Sequence, residues 1–465
     1  MRRKGIVVGA CAALVLAGSA GVVAWRQSDA GENKPVGTWQ DAPGVARTSV
    51  ALSGQGAAAA TAPEQATDAG PTGPAGAEAP VKVAERVRAK NRRIVEESAQ
   101  EAARKGRQKV GELLEVSRLL GYGSGPQKET FRYPGASYVK LHFDRMTMLP
   151  GDYVTVSNPA GTESYRYDAP KLLEQGHGRW AMSVTGDTAV LEVHRGVDPL
   201  GTRALLGKLG VNVDQVARGF SRTEQKGVPE ESLSAPGRTG REESVCGADT
   251  SADAVCYRTK DPMAYTRSKA VARLLIDGTE LCTAWRVGAK NRMLTNNHCF
   301  SDSGAAYDTE VWFNYQCATC GGYDTYQPTK VWGDKVLATN RDYDYTLFTL
   351  DNFASVQKFG HLELDATRPA KGTQLYVPQH PAGDPTRIAG AAGDRAGNCA
   401  VDNPAYDGYA AQSDVSYFCD TEGGSSGSPV LSRRTNRVVA LHHFGGCPNS
   451  GVRADLLLQK LKSAL

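Results

Sequence analysis

The spacing of apolar positions changes several times along the chain. Residues 5–25, "GIVVGACAALVLAGSAGVVAW", are almost continuously apolar and follow Arg2, Arg3 and Lys4. A run of roughly 20 apolar residues behind a basic start is the pattern of a secretory signal, and it is also long enough to span a bilayer. Residues 1–27 therefore read as either a cleaved signal or a retained anchor. Residues 28–80 lose the pattern. They are built of Ala, Gly, Pro, Thr and Ser, as in "GQGAAAATAPEQATDAGPTGPAGAEAP". Such a stretch buries too little apolar surface to fold and reads as a disordered linker. Residues 81–125 are rich in Ala, Glu, Lys and Arg, with no proline through residue 120, and predict one or two helices with a charged face.

From Tyr138 the period falls to two. "YVKLHFDRMTML", "DYVTVSNPAG", "WAMSVTG" and "TAVLEVHRG" are short, alternating and separated by turn residues. They predict a small β-sandwich over residues 126–200. Residues 201–245 close in polar, Pro- and Gly-bearing sequence and read as an exposed linker. Beyond residue 245 the apolar runs are β-rich to the end.

The cysteines sharpen the last boundary. Of ten, Cys11 lies in the first apolar run and the other nine fall between Cys246 and Cys447. With an export signal, that clustering implies an oxidising compartment and disulfides. The net charge of +4 is too slight to argue for a nucleic-acid partner. No phosphate loop and no His-Glu-x-x-His run is present, so the chain calls for no cofactor and no metal. The Cys-x-x-Cys of Cys317 and Cys320 has no matching second pair for zinc.

The stretch "TEGGSSGSPV", residues 421–430, carries the chemistry. A flexible linker would lack flanking strands. Here "VSYFCDT" leads in, and "PVLS" and "RVVALHHF" follow, so the glycines and serines make a tight turn between strands. Gly424 and Gly427 let the backbone turn and leave room beside Ser426. A serine hydroxyl needs a base, and the base needs an orienting acid. His298, in "MLTNNHCF", is the candidate base. Asp344, heading the apolar run of "RDYDYTLFTL", is the candidate acid, with Asp342 one alternation further out as the fallback.

"TNNHC", "DYTLFTL" and "GSSGSPV", in that order, resemble the chymotrypsin-like serine endopeptidases, most of all the bacterial lysyl and glutamyl endopeptidases. The resemblance covers residues 246–465. It implies an all-β protease domain of two antiparallel β-barrels with the site between them, closed by a C-terminal helix, which "ADLLLQKLKSAL" fits. It implies Ser426 as nucleophile, His298 as base, Asp344 as orienting carboxylate, and the N–H groups of Gly424 and Ser426 as an oxyanion hole. By the same analogy, bridges are expected for Cys246–Cys447, Cys256–Cys320 and Cys282–Cys299. Cys399 and Cys419 form the expected fourth pair. Cys317 is left over and competes with Cys320.

Three residues are candidates for choosing the side chain before the cut bond. Asp420 stands where trypsin-like enzymes keep a carboxylate for Arg or Lys. Thr421 and His443 stand where the glutamyl enzymes hold a carboxylate, through a hydroxyl and a cationic imidazole. The pattern favours acidic over basic substrates, with one of His442 and His443 expected in the pocket and the other in solvent. The whole reads as a secreted endopeptidase made as a zymogen and acting as a monomer on protein or peptide substrates. No nucleic-acid partner is expected, and membrane contact only if the N-terminal segment stays uncleaved. The rival reading is a catalytically inactive, protease-like binding protein.

Overall fold

The computed structural model describes residues 35–38, 106–121, 127–169, 178–197, 210–228, 245–390 and 399–465. The segment of residues 1–27, most of the linker expected over 28–80 and the helical stretch expected over 81–105 lie outside them. Among the described residues no helix is long and apolar enough to cross a membrane.

Residues 271–350 form a closed antiparallel barrel. Its strands run in the order Val271–Ile276, Glu310–Phe313, Thr329–Asn340, Tyr345–Leu350, Met293–Thr295 and Glu280–Arg286, and the last pairs back onto the first. Every residue of Val271–Ile276, Glu280–Arg286 and Tyr345–Leu350 is buried. Closure removes most of the open edges that would otherwise need covering, but the short Met293–Thr295 strand pairs only with Trp285 and Arg286 and leaves one side of Glu280 and Leu281 uncovered within the barrel. Residues 375–453 build a second barrel from Leu375–Gln379, Pro429–Ser432, Val438–Phe444, Asn449–Arg453, Asp414–Tyr417 and Val401–Tyr406. It closes through the backbone bridge of Gln374 with Ala400 and the Leu375 N–H donated to Cys399 O. Trp285, Leu294, Leu347, Leu431, Leu441 and Val452 pack in one core that both barrels share. Helix Ala454–Leu461 covers that core with Leu457 and Leu461, which are fully buried. The expected all-β fold with a C-terminal helix is the fold observed.

The front module is a two-sheet sandwich, with borders that differ from those the sequence suggested. One sheet has the order Lys128–Arg132, Thr188–His194, Tyr153–Ser157 and Ser164–Asp168. The other pairs Gly111–Gly121, Gly210–Gly219, Tyr138–Met146 and Arg179–Trp180. Leu141, Phe143, Val154, Val156, Leu191 and Val213 fill the space between them. Residues 111–121, expected as helix, are a strand, and so are residues 210–219, expected as linker. "GELLEVSRLLG" is made of helix formers, but it pairs nearly end to end with "GVNVDQVARG", and that pairing overrides local preference. A short capped helix, Arg222–Lys226, follows in the expected linker. Pro35–Thr38, also within an expected linker, forms a strand against Asp324–Tyr326.

The module docks on the first barrel through buried charge. Lys140 Nζ lies 2.8 Å from Glu310, and Lys330 Nζ lies 2.7 Å from Glu163. Ser183 donates to both oxygens of Glu310 through its N–H and its hydroxyl. Burial works against the Glu310 carboxylate, yet Lys140 and Lys330 outweigh it and lower its pKa. Charges this deep hold only when each finds its partner.

Candidate active site

The turn of residues 423–428 places the three serines in different surroundings. Gly424 and Gly427 have φ of 91° and 89°, the left-handed region that glycine enters freely. Neither site tolerates a Cβ. At Gly427 it would lie 2.0 Å from Thr283 O, and at Gly424 it would lie 2.4 Å from Leu281 Cδ2. The Ser425 hydroxyl accepts the Glu422 N–H at 3.2 Å. Ser428 precedes the strand Pro429–Ser432 and is wholly buried. Ser426 lies between them, its carbonyl accepting the Thr283 N–H at 2.8 Å. Among the described residues, nothing accepts the N–H of Gly424 or of Ser426.

His298 follows the strand Met293–Thr295 and is held from two sides. Its backbone N–H donates to Asp344 Oδ1 at 2.9 Å, and its Nδ1 lies 2.7 Å from Asp344 Oδ2. The opposite ring nitrogen, Nε2, is buried with no hydrogen-bond partner among the described residues. The strand Glu280–Arg286 connects this loop to the serine turn. Thr283 N–H donates to Ser426 O, and Thr295 Oγ1, three residues before His298, donates to Thr283 O at 2.8 Å. The bridge Cys282–Cys299 ties the same strand to the residue after the imidazole. Cys282, His298 and Cys299 lie close enough to hold an ion, but both sulfurs are consumed by that bridge.

Asp344 takes a left-handed φ of 40° at the head of its strand, with Asn296 Nδ2 donating to its carbonyl. Its carboxylate is 2% exposed. Burial alone would raise its pKa. His298 and His443 outweigh burial and hold the carboxyl well below the usual range. Asp342, the fallback, is exposed in the preceding turn.

His443 departs from expectation. His442 and His443 are both buried, so neither faces solvent. His443 Nδ1 lies 3.2 Å from Asp344 Oδ2, and Nε2 lies 2.6 Å from Asp414 Oδ2. Both nitrogens are thus spent on carboxylates. Burial works against a charged ring, yet Asp414 and Asp344 push its pKa up to about 9. His442 Nδ1 takes the Tyr417 hydroxyl at 2.8 Å, and burial, then the neighbouring His443, lowers its pKa to about 3. The row Asp414–His443–Asp344–His298 is the part that sequence reasoning missed. One signal was available: "DVSYF" puts an aspartate at the head of an apolar strand, as "DYTLF" does for Asp344.

The remaining candidates are placed as follows. Asp420 is buried, and its carboxylate accepts both the N–H (2.9 Å) and the hydroxyl (2.5 Å) of Thr250. Thr421 Oγ1 is buried without a partner among the described residues. Glu422 is pushed up to about 7, by burial first and then by Asp249 and Asp384. The structure contains Cys246–Cys447, Cys256–Cys320, Cys282–Cys299 and Cys399–Cys419, and leaves Cys317 buried and free. No dithiol survives in the Cys-x-x-Cys.

Residues 247–455 match the family model described as "Lysyl endopeptidase, C-terminal domain". Secreted RxLR effector protein 73 of Plasmopara viticola is 35% identical over 283 residues, which cover 57% of this chain and 68% of that protein. Among solved structures, Glu endopeptidase in complex with MPD is 18% identical, with 48% of this chain and 100% of that chain covered at a TM-score of 0.34. The Rv3671c protease in its inactive form is 14% identical, with 44% and 94% covered at a TM-score of 0.32.

Proposed function

We propose that this chain, which belongs to the same family as Secreted RxLR effector protein 73 of Plasmopara viticola and over residues 247–455 is homologous to serine endopeptidases, is itself an active, exported serine endopeptidase. One observation carries the reading. His298 is clamped by Asp344 through Nδ1, which leaves Nε2 buried and unpartnered among the described residues, in a loop that Thr295, Thr283 and the Cys282–Cys299 bridge tie to the turn that holds Ser426.

The chemistry follows from that clamp. Asp344 keeps the proton on Nδ1, so Nε2 is the free base. It takes the Ser426 proton as Oγ attacks the substrate carbonyl. The N–H groups of Gly424 and Ser426 supply donors for the developing oxyanion. The imidazolium then protonates the leaving amine, an acyl-enzyme remains on Ser426, and water releases it by the reverse proton path. Export is supported by the basic-then-apolar start of the chain and by four disulfides. The front module, docked on the barrel, is the pro-region of a zymogen in this reading.

The preference before the cut bond is read for acidic residues on the strength of Thr421, whose buried hydroxyl awaits a partner. His443 no longer supplies the cation, since Asp344 and Asp414 hold it. A peptide-library digest decides the point: cuts after Glu or Asp support Thr421, whereas cuts after Lys or Arg remove the acidic reading and turn attention to Asp420.

The effector relative favours a second reading, a protease-like binding protein without catalysis. A serine-directed phosphonylating reagent separates the two. An active site is labelled at Ser426, and Ser426→Ala abolishes labelling and peptide hydrolysis while the protein stays folded. A folded alanine variant that cuts as fast as the parent would falsify the assignment.

A further inference from the structure

We infer that Glu280 and Asp277, at the start of the Glu280–Arg286 strand, form a subsite for a basic side chain on the leaving side of the scissile bond, and that Arg107 of the front module fills it in the uncut chain. The inference rests on the serine endopeptidase reading above.

The first observation is a strand added to a barrel edge. Gln108 and Lys109 pair antiparallel with Leu281 and Glu280, and the Val110 N–H donates to Thr279 O at 2.8 Å. An extended peptide laid on a sheet edge is a standard way to bind substrate or inhibitor, with the main chain supplying affinity and side-chain pockets supplying selectivity. This edge is also the catalytic one. Leu281 packs where a Cβ on Gly424 would stand, and Thr283 N–H holds Ser426 O.

The second observation fixes the side. Arg107 Nε donates to the carbonyl of His298 at 3.4 Å. The leaving amine must come within reach of the imidazole that protonates it. In this proposal, the chain that reaches the His298 carbonyl and pairs with Glu280 and Leu281 occupies the leaving side of a substrate.

The third is charge. Arg107 Nη1 lies 2.5 Å from Glu280 Oε2 and 3.2 Å from Asp277 Oδ2. The Arg107 and Glu280 side chains are 10% and 8% exposed. A carboxylate so covered needs a cation, and a guanidinium meets that need better than a neutral group. The occupant is also firmly tethered: Gln225 donates to Lys109 O, Phe220 N–H donates to Val110 O, and Val110 packs with Tyr138, Leu281 and Trp312. The front module is thus a competitor in cis, and removing it uncovers an acidic subsite.

Two measurements on the intact chain test this. Labelling by a small phosphonylating reagent reports whether Ser426 is reactive at all. Hydrolysis of a peptide series that varies the residue just beyond the cut bond reports whether the leaving side is open. Arg107→Glu sets three carboxylates together and should raise peptide hydrolysis at least about tenfold, with a smaller rise for Arg107→Ala. Arg107→Glu combined with Glu280→Arg should restore latency and turn the leaving-side preference from basic to acidic. Parent-like hydrolysis by the folded single variants, or a leaving-side preference unmoved by Glu280→Arg, overturns the inference while labelling still upholds the enzyme. Absence of labelling in every form overturns the enzyme reading and this inference with it.

Discussion

Replacing Asp344 with asparagine keeps the size of the side chain and removes its charge. The carboxylate accepts three hydrogen bonds, from the His298 N–H and from the Nδ1 atoms of His298 and His443. An amide accepts through one oxygen, and its NH2 turns toward a ring nitrogen that must then become an acceptor. His298 flips to the tautomer with its proton on Nε2, where it cannot take the serine proton. The equivalent swap in a well-studied Ser-His-Asp enzyme lowers kcat by about 10⁴. At 1.36 kcal/mol per decade that adds about 5.5 kcal/mol to the barrier. Stability falls as well, by about 1.5–3 kcal/mol for each charge-assisted bond lost.

The pH dependence has a definite sign. The Asp344 carboxyl is held below its unfolded value, so its stabilisation is present above about pH 4 and is lost as acid titrates the folded group. The stability gap between parent and Asp344→Asn is therefore widest at neutral pH and closes in strong acid. Steady-state hydrolysis of a peptide substrate measures kcat, and urea melts across pH measure the gap. A folded variant within tenfold of parental kcat would refute the orienting role of Asp344.

Two further outcomes follow from the same site. His443 is raised to about 9 between its carboxylates, so its contribution to stability is complete below about pH 6.5 and is lost as pH climbs through 9. That contribution is on the order of 3 kcal/mol, and Asp414→Asn should flatten this alkaline limb in urea melts. Gly427→Ala forces a Cβ to 2.0 Å from Thr283 O at a φ of 89° and should cost about 2–4 kcal/mol with near-complete loss of hydrolysis. A melt and activity within error of the parent would show that the turn is not rigid.

Legibility in the sequence depended on how local the signal was. The serine turn was readable because glycines at 424 and 427 flank two serines between two strand patterns. His298 was readable because few histidines exist to compete and this one lies next to a cysteine. The strand at 111–121 was not readable. Its composition favours helix, and the partner that makes it a strand begins at residue 210. The resemblance to the glutamyl enzymes assigned His443 to the pocket, and alternation along a strand was expected to leave one of His442 and His443 in solvent. A register shift between His442 and Phe444 breaks that alternation, and both rings turn inward.

The sequence by itself determined the kinds and order of the reactive groups, the cysteine-rich boundary and the β character of the second half. Those properties are written in short windows, where composition and spacing act directly on the backbone. Only the tertiary structure decided that Asp414 and Asp344 would share His443, that Thr250 would take Asp420, and that Arg107 would reach His298, 191 positions away. Those pairings come from barrel closure and module docking, which exclude water and leave each buried charge to settle on whichever counter-charge the packing brings near.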